Sequence, residues 1–371
     1  VSEFLPSITI SGYVSEQENT NPGDDTNFRP SQQSITVEQK IFQGGSGVAT
    51  FMKKKHGQNL GKFKLKKIEQ EILLDAAKIH TELLLNRKKV NINLTNVDLL
   101  ERQVETDQNR LEKGEINLTD LSQSESSLAG ARAELIAAEN DLVTSKANFE
   151  KIIGKKSTRD IQEIEKINLN LPESLATAYR ISNSENPDLQ IALMEYEQSK
   201  LDVAIAGSEL SPSATLSYKI AEQDDISSTV QERTQQTVTA TATWSLFAGG
   251  KNTFNYRKFQ EIENQKELLL EDRKKTTKTE VANAWSSYQS SKSMLDSIRS
   301  QVKAAEIANE GITLEYESGG SRTTLEVIQS RSILLNSRIN LASSERNFLI
   351  SQFNLLSAVG RLTANHLNLK Q

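Results

Sequence analysis

Two ladders of apolar residues at a seven-residue spacing constrain this chain more than any other feature. The first lies between Gly114 and Gly154, and the second lies between Gly320 and Gly360, 206 residues further along. Their members are Leu121, Leu128, Leu135, Leu142 and Phe149, then Val327, Leu334, Leu341, Phe348 and Leu355. A sustained apolar period of seven indicates a helix packed along another helix. The sequence therefore predicts a tandem repeat of long helical hairpins.

The helices that precede these ladders are predicted to be unusually long. They carry ladders of their own at Ala76, Leu83, Val90, Val97, Val104 and Leu111, then at Val281, Tyr288, Leu295 and Val302. No proline occurs between Thr253 and Glu317. A continuous helix over that stretch would extend roughly 95 Å at 1.5 Å per residue. Such a helix indicates an elongated tube or rod.

Four shorter segments alternate apolar residues with serine and threonine, which is the period of a β-strand. Their apolar positions are Ile8, Ile10 and Val14; Ile35, Val37 and Ile41; Ala214, Leu216, Tyr218 and Ile220; and Val238, Ala240, Ala242, Trp244 and Leu246. Turn glycines follow the second and fourth segments, at Gly44, Gly45, Gly249 and Gly250. Residues 16–30 and 222–234 are polar and are predicted to be loops. Strands of about ten residues with one apolar face can span a bilayer when tilted.

The repeat predicts the domain organisation. Residues 1–154 form a first structural repeat of two strands, a long helix and a return helix; residues 155–171 form an irregular linker; residues 172–371 form the second repeat. The second repeat begins with an extra helical segment, opened by Leu171-Pro172 with the proline in its first turn and continued by a helix at Asn186-Pro187. The first repeat lacks this segment. We therefore expect a truncated or processed amino terminus.

Composition excludes several classes of function. The chain has no cysteine, so disulfides and thiolate sites are excluded. A net charge of −5 gives no overall positive field for nucleic acid. Its three histidines share no metal-ligand spacing, and no nucleophile, base and orienting group stand together. We expect no enzyme activity, no metal and no cofactor.

Four amphipathic strands cannot close a membrane barrel alone, because such barrels need about eight or more strands. Open strand edges in hydrocarbon leave unpaired backbone groups, each of which costs several kcal/mol. Copies of the chain must therefore combine. Three copies would supply twelve strands, with a ring of helices continuing below them.

This organisation resembles the TolC family of outer-membrane channel proteins over nearly the whole chain. The motifs that carry the resemblance are duplicated or occur in the family's order: Phe42 to Gly45, Phe247 to Gly250, Leu171-Pro-Glu-Ser174, Asn186-Pro-Asp-Leu189, Leu210-Ser-Pro-Ser213, Gly114 to Leu121, and Val359 to Thr363. The resemblance implies a mostly α-helical fold with a membrane β-barrel part. Helical hairpins would form an α-barrel, and four β-strands per chain would contribute to a trimeric 12-stranded barrel. It also implies the outer membrane of a Gram-negative bacterium, with a long periplasmic extension.

The family's activity implies an exit duct for proteins or small toxic compounds. Its partners would be two further copies, outer-membrane lipid, a periplasmic adaptor protein and an inner-membrane pump of the ABC or RND type. The segment from Val359 to Thr363 favours the protein-secretion branch. The alternatives are a periplasmic adaptor, or a coiled-coil structural protein with no channel activity.

The resemblance also implies a gate at the periplasmic tip, at the turns that begin with Gly114 and Gly320. By motif position, a latch aspartate falls on Asp120, a latch arginine on Arg322 and a ring carboxylate on Glu326. A lock tyrosine is present as Tyr316, displaced by one residue. A second ring carboxylate would be expected where this chain has Gln329. The alternative is that Asp120 and Arg322 are ordinary solvated turn residues.

Overall fold

A computed structural model describes residues 2–21, 24–154, 169–227, 230–318 and 322–367. The chain divides into two compact units. The sheet unit consists of Val1–Lys64 and Leu189–Arg273, and the helical unit consists of Leu65–Asp188 and Lys274–Gln371. Both repeats contribute to each unit.

A four-stranded antiparallel sheet dominates the sheet unit. Its strands lie in the order β1 (Ser7–Val14), β4 (Ser31–Gln43), β5 (Ser213–Ser227) and β6 (Val230–Thr243). Cross-strand pairs bring apolar residues together on one face: Ile10 lies opposite Ile35, Ile35 opposite Ile220, and Tyr218 opposite Val238. Serine and threonine pairs occupy the other face. The predicted amphipathic strands are confirmed.

One extra residue in β4 extends the apolar face toward the helices. Lys40 pairs with Thr215, whereas Phe42 pairs with Ala214, so Ile41 forms a β-bulge. Side chains alternate between the faces of a sheet, and a bulge shifts that alternation by one. Phe42 consequently lies on the apolar face instead of the serine and threonine face.

The two predicted loops were wrong. Within residues 16–30, β2 (Gln17–Asn21) pairs with β3 (Asp24–Phe28) as a separate two-stranded sheet. Within residues 222–234, β5 and β6 continue pairing beyond the predicted strand ends. The sequences of these extensions are largely polar, so they lack the alternation of a half-buried strand, while the backbone ladder continues. At its other end, β6 stops at Thr243, before the predicted end at Leu246.

The helices repeat in length. Their bounds are α1 (Ser46–Glu112), α2 (Leu118–Ile153), α3 (Leu175–Glu185), α4 (Pro187–Ser208), α5 (Lys251–Glu317) and α6 (Thr324–Val359). The two long helices have 67 residues each and the two return helices have 36 each. The predicted pair of long hairpins is therefore confirmed. The predicted linker falls mostly on residues 155–168, which lie outside the described residues.

The helical segment at the start of the second repeat begins later than predicted. Helix α3 starts at Leu175, and Ser174 caps it by accepting a hydrogen bond from the Thr177 amide at 3.2 Å. Pro172 precedes this cap instead of lying in the first turn, because a serine oxygen can accept the free amides at a helix start and proline cannot. Helix α4 begins at Pro187, as predicted from Asn186-Pro187.

Close packing explains the glycines before the long helices. Gly44 has φ of 56°, and a β-carbon there would lie 2.8 Å from the Ser208 carbonyl oxygen. Only glycine readily adopts this positive φ and also leaves room for the Ser208 carbonyl oxygen. Positive φ is also found at the other described turn glycines, Gly45, Gly114, Gly249 and Gly250. Gly320 lies outside the described residues.

A second buried ladder, of small residues, runs beside each predicted apolar ladder. Its members lie three positions after the apolar ones: Ser124, Ala131, Ala138 and Ser145 in α2, and Ser330, Ser337, Ser344 and Ser351 in α6. In the first hairpin, Val97 and Leu100 of α1 pack with Ala131, flanked by Leu128 and Leu135. Large residues thus face small ones, which lets neighbouring helices approach closely.

The end of α6 packs against the junction of α3 and α4. Leu355 and Val359 form one buried cluster with Ala178 and Ile181 of α3 and Val281 of α5. Beyond that cluster, the Arg361 guanidinium binds the Glu185 carboxylate in a bidentate arrangement, with a shortest distance of 2.7 Å. Helix α3 of the second repeat therefore anchors its carboxyl-terminal end.

The Arg361–Glu185 pair predicts a pH-dependent contribution to stability. Hydrogen bonds from Arg361 lower the pKa of Glu185 below its ordinary value of 4.5, and Lys66 and His366 add positive charge nearby. A lowered carboxyl pKa stabilises the fold fully above about pH 4.5, and this stabilisation is lost as the pH falls through the folded pKa. We expect Arg361→Gln to lower stability at pH 7 by no more than about 1 kcal/mol, because the pair is about one-third exposed.

Thermal unfolding of the wild type and Arg361→Gln at pH 7 and pH 3.5 measures this effect. The difference between the two proteins should shrink at the lower pH. The exposed pair Arg102–Asp98 supplies the control variant Arg102→Gln. An Arg361→Gln effect that is equal at both pH values would contradict the assignment.

Candidate functional site

Four helix ends of the helical unit meet in one buried hydrogen-bond network around Asp107 of α1. The Tyr316 hydroxyl of α5 donates to Asp107 Oδ1 at 2.7 Å, and the Ser124 hydroxyl of α2 donates to Asp107 Oδ2 at 2.5 Å. Gln103 Nε2 also donates to Asp107 Oδ1, at 2.9 Å. The Tyr316 and Thr324 hydroxyls lie 3.0 Å apart, which adds the start of α6. These five residues are called the Asp107 network.

The Asp107 network joins the two hairpins of one chain. Asp107 and Ser124 belong to the first hairpin and are both 0% exposed, whereas Tyr316 and Thr324 belong to the second and are 3% and 2% exposed. A buried carboxylate is tolerated when hydrogen-bond donors satisfy it, and breaking such an arrangement costs several kcal/mol. The network is therefore a strong link between the hairpins.

Tyr316 was predicted as a lock tyrosine, and the structure places it at the centre of the Asp107 network. Burial raises the pKa of its phenol, and the hydrogen bond and negative charge of Asp107 raise it further. The hydroxyl therefore remains protonated, and able to donate, throughout the physiological pH range. The Arg110 guanidinium lies 4.4 Å from the ring centroid, covering its face.

Arg331 makes a second link between the hairpins. Its Nη1 donates to the Leu99 carbonyl oxygen of α1 at 3.3 Å. Burial lowers the pKa of this guanidinium, opposed by the negative charges of Glu317 and Asp107. An arginine in this position stays charged, so Arg331 places a partly desolvated cation beside the network.

Asp120 and Glu326 hold the same capping position in the two repeats. The Asp120 amide donates to Asn117 Oδ1 at 3.0 Å, and the Asn117 amide donates to Asp120 Oδ2 at 3.4 Å. Glu326 and Thr323 exchange the same two bonds, at 3.3 and 2.8 Å. Both predicted site residues therefore complete a capping box at the start of a return helix.

Arg322 lies beside the second capping box. Its Nε donates to Glu315 at 2.6 Å, and its Nη1 donates to Glu326 at 3.0 Å. The pKa of Glu326 is lowered first by the Thr323 backbone amide and then by Arg322. These groups are exposed, so salt screens their attraction.

The structure brings together some predicted site residues but not others. Arg322 and Glu326 are paired, and Tyr316 is hydrogen-bonded to Asp107. No direct bond between Asp120 and Arg322 of the same chain occurs among the described residues, where each has the local partners given above. Gln329 is exposed on α6. Within that part of the chain, Asp120 Oδ1 and Arg322 Nη2 make no hydrogen bond.

Sequence reasoning missed Asp107, Gln103, Ser124 and Thr324. A signal for Asp107 does exist in the seven-residue period, because α1 buries Asn86, Asn93, Leu100 and Asp107 at that spacing. The first two are polar as well, so the spacing alone marks Asp107 as buried without indicating its partners.

Among the described residues, no helix combines the length and the apolar character needed to cross a membrane. No group of three or more histidine, aspartate or glutamate side chains in the same residues could hold a metal ion.

The sequence matches the family described as Outer membrane efflux protein over residues 2–155 and 178–361. It is also similar to the outer membrane efflux protein BepC of Brucella suis biovar 1 (strain 1330). The two are 24% identical over 307 residues, which cover 82% of this chain and 67% of BepC. The matched ranges include both hairpins and the Asp107 network.

Solved structures of bacterial outer-membrane proteins share the fold. The outer membrane channel CmeC of Campylobacter jejuni superposes with a TM-score of 0.82 at 13% identity, covering 98% of this chain and 79% of CmeC. The outer membrane protein VceC of Vibrio cholerae superposes with a TM-score of 0.81 at 16% identity, covering 97% of this chain and 88% of VceC. The predicted combination of helical barrel and β-barrel segments is thereby confirmed.

Proposed function

The chain belongs to the outer membrane efflux protein family, and from that premise we propose that three copies form one continuous duct whose helical end is closed by a releasable gate. The protein is an export channel of the Gram-negative outer membrane with a periplasmic tunnel. Its family and fold are those of transport channels, not of enzymes. Channels of this family are typically trimeric and work with adaptor and pump proteins.

The sheet carries the argument for assembly. Among the described strands, β1 pairs only with β4 and β6 pairs only with β5, so each outer strand leaves one backbone edge unpaired there. Unpaired amides and carbonyls in hydrocarbon cost several kcal/mol each. The edge of β6 in one copy can pair with the edge of β1 in the next, which removes every free edge when the ring closes.

Three copies suit a duct better than two. Two copies would supply eight strands, and the interior of an eight-stranded barrel is just wide enough for side chains to fill. Twelve strands enclose a wider, water-filled lumen lined by the serine and threonine face. We expect the detergent-purified protein to have three times the mass of one chain and to conduct ions across a planar bilayer. A monomer without conductance would contradict the proposal.

The gate combines two kinds of contact with different strengths. The Asp107 network is buried and joins the hairpins of one chain, so it holds them together while the gate moves. The contacts of Arg322 are exposed and screened, so a docking partner can exchange them. We place the releasable latch at Arg322 and Asp120 of different copies, with Glu326, Tyr316 and Gln329 beside it.

Unused hydrogen-bonding atoms support a latch between copies. Within the described part of one chain, Arg322 Nη2 and Asp120 Oδ1 are the atoms of these two groups left without hydrogen bonds. Both residues lie at the starts of return helices, so equivalent ends would meet around a threefold axis. A charge-assisted bond between them has the geometry that a guanidinium and a carboxylate favour.

We expect Asp120→Ala with Arg322→Ala to raise the conductance of the trimer several-fold, because the exposed latch would no longer hold the tip closed. Single-channel recording in a planar bilayer measures this change. Asp98→Ala with Arg102→Ala removes an exposed acid–arginine pair elsewhere on α1 and is the control. Unchanged conductance in a trimeric Asp120/Arg322 variant would exclude the latch and leave the channel function intact.

The finer assignments of partner and cargo extend the proposal. A periplasmic adaptor would connect the tip to an inner-membrane pump of the ABC or RND type, and the cargo would be proteins or small toxic compounds. The repeat boundaries are proposed at residues 1–154 and 172–371. Crosslinking from the tip in whole cells, followed by identification of the attached pump, would test the choice between pump types.

The alternatives are not favoured. A periplasmic adaptor or a coiled-coil structural protein has no need for a sheet with a continuous exposed apolar face. Family membership over both repeats also supports a channel.

A further inference from the structure

Exposed apolar side chains continue from the sheet onto the first turns of α1. Val48, Phe51 and Met52 are 49%, 40% and 48% exposed. Their spacing of three and four residues puts them on one face of the helix. The Phe4 ring packs edge-on against Phe51, with centroids 6.3 Å apart, and is itself half exposed. Unlike the apolar ladders of the helical unit, this face is not covered by any element of the described residues.

Aromatic residues lie at the equivalent junction of the second repeat. Trp244, Phe247 and Phe254 follow β6 or begin α5, and they are among the most exposed large side chains of the sheet unit. Aromatic residues at both repeat junctions match the aromatic belt that membrane proteins place at the boundary between hydrocarbon and headgroups.

Lysines follow the apolar turn of α1. Lys55 and Lys62 lie seven and fourteen positions after Val48, on the same helix face, and Lys54 lies beside them. All three are exposed, and none has an acidic partner among the described residues. The neighbouring Lys53 differs, because it pairs with Asp202.

The second repeat has no lysines at the equivalent positions of α5. Helices α1 and α5 begin 205 residues apart, and the positions 205 residues after Lys54, Lys55 and Lys62 hold Phe259, Gln260 and Glu267. The same helix therefore forms without lysines there, so the lysines are not a requirement of the repeated fold.

The order of side chains along α1 follows the depth profile of a membrane surface. One helical turn advances about 5.4 Å, so Lys54 and Lys55 lie roughly one turn beyond Phe51. Lys62 lies about two turns further, close to the range of about 8–10 Å over which charges act at physiological ionic strength. We propose that Val48, Phe51, Met52, Lys54, Lys55 and Lys62 form a binding surface for anionic phospholipid in the periplasmic leaflet.

Adjacent apolar and cationic groups favour a lipid over other anionic partners. Nucleic acid or an acidic peptide would match the lysines while leaving Val48, Phe51 and Met52 exposed to water. A lipid satisfies both, since its acyl chains cover the apolar turn and its headgroup meets the lysines. Each lysine near an anionic surface strengthens association by up to about five-fold, and this effect falls with distance from the surface.

Spin-labelled phosphatidylglycerol and phosphatidylcholine in phosphatidylcholine bilayers test this surface with the full-length trimer. We expect the wild type to prefer phosphatidylglycerol, with a preference that decreases as salt is added. The preference for phosphatidylglycerol should be about five- to twentyfold weaker in the variant Lys54→Gln/Lys55→Gln/Lys62→Gln. The variant Lys151→Gln/Lys275→Gln/Lys303→Gln removes three exposed lysines of the helical unit and should keep it.

Two outcomes would overturn the proposal. One is an unchanged phosphatidylglycerol preference in the first variant. The other is loss of the trimer in that variant, measured by size-exclusion chromatography, which would show that the lysines bind a neighbouring copy instead of lipid. Conductance of the wild-type trimer separates either outcome from failure of the channel function.

Discussion

Asp107→Ala is expected to lower the free energy of local opening at the helix ends of the helical unit by about 3–5 kcal/mol. The substitution leaves the donors of Tyr316, Ser124 and Gln103 buried without their acceptor, and unsatisfied buried groups cost about 1–3 kcal/mol each. Amide hydrogen exchange measures this locally, where 3 kcal/mol corresponds to more than a hundredfold faster exchange through local opening. The acceleration should appear in both hairpins, because the network joins them.

Glu105→Ala is the matched control for Asp107→Ala. Glu105 is an exposed acid on the same helix, two residues away, and its loss should change stability by less than about 0.5 kcal/mol. Tyr316→Phe removes one donor and should give an intermediate effect. Faster exchange confined to α1 and α2 would mean that Asp107 stabilises only its own hairpin and would exclude the proposed link.

Gly360→Ala is expected to be the most destabilising single-methyl change in the carboxyl-terminal part of the chain. Gly360 caps α6 with φ of 87°, and a β-carbon there would lie 2.2 Å from the Glu185 carbonyl oxygen. That oxygen is backbone, so relief requires moving the α3–α4 junction away from α6. We expect the free energy of unfolding, measured in denaturant, to fall by at least about 3 kcal/mol. Alanine is unfavourable in the left-handed conformation, and the displaced junction loses packing.

Gly154 supplies a control from the other repeat. It caps α2 with φ of 72°, and a β-carbon there meets nothing within 4 Å. Gly154→Ala should therefore cost only about 1–2 kcal/mol, from the left-handed conformation. Equal losses in the two variants would show that the approach to Glu185 does not constrain Gly360.

The repeated hairpins and the amphipathic sheet could be predicted from the sequence because each leaves a periodic signal. A ladder such as the one from Leu121 to Phe149 reports a helix buried on one side, and alternation reports a strand with one apolar face. The sequence of residues 222–234 is largely polar and gave no such signal. Strands β5 and β6 nevertheless extend into this range through backbone hydrogen bonds, which leave no trace in side-chain patterns.

The candidate site was predictable only in part, for a similar reason. Asp120 and Glu326 could be located by motif, yet their local role in helix capping arises from backbone amides. Asp107 was missed because its partners come from two other helices, through Ser124 and Tyr316, and from Gln103, one turn away on the same helix. The spacing of residues along the sequence shows that such a residue is buried, but it does not show which distant segments contact it.

The small-residue ladder that runs beside each apolar ladder also limits how these helices can change in length. Deleting one residue from α2 would rotate everything beyond the deletion by about 100° and move serines and alanines out of the contact line. Deleting seven restores the line almost fully, with a shortening of about 10 Å. Natural variation in the depth of such tunnels should therefore come in whole heptads, matched between outgoing and returning helices and copied in both halves of the chain.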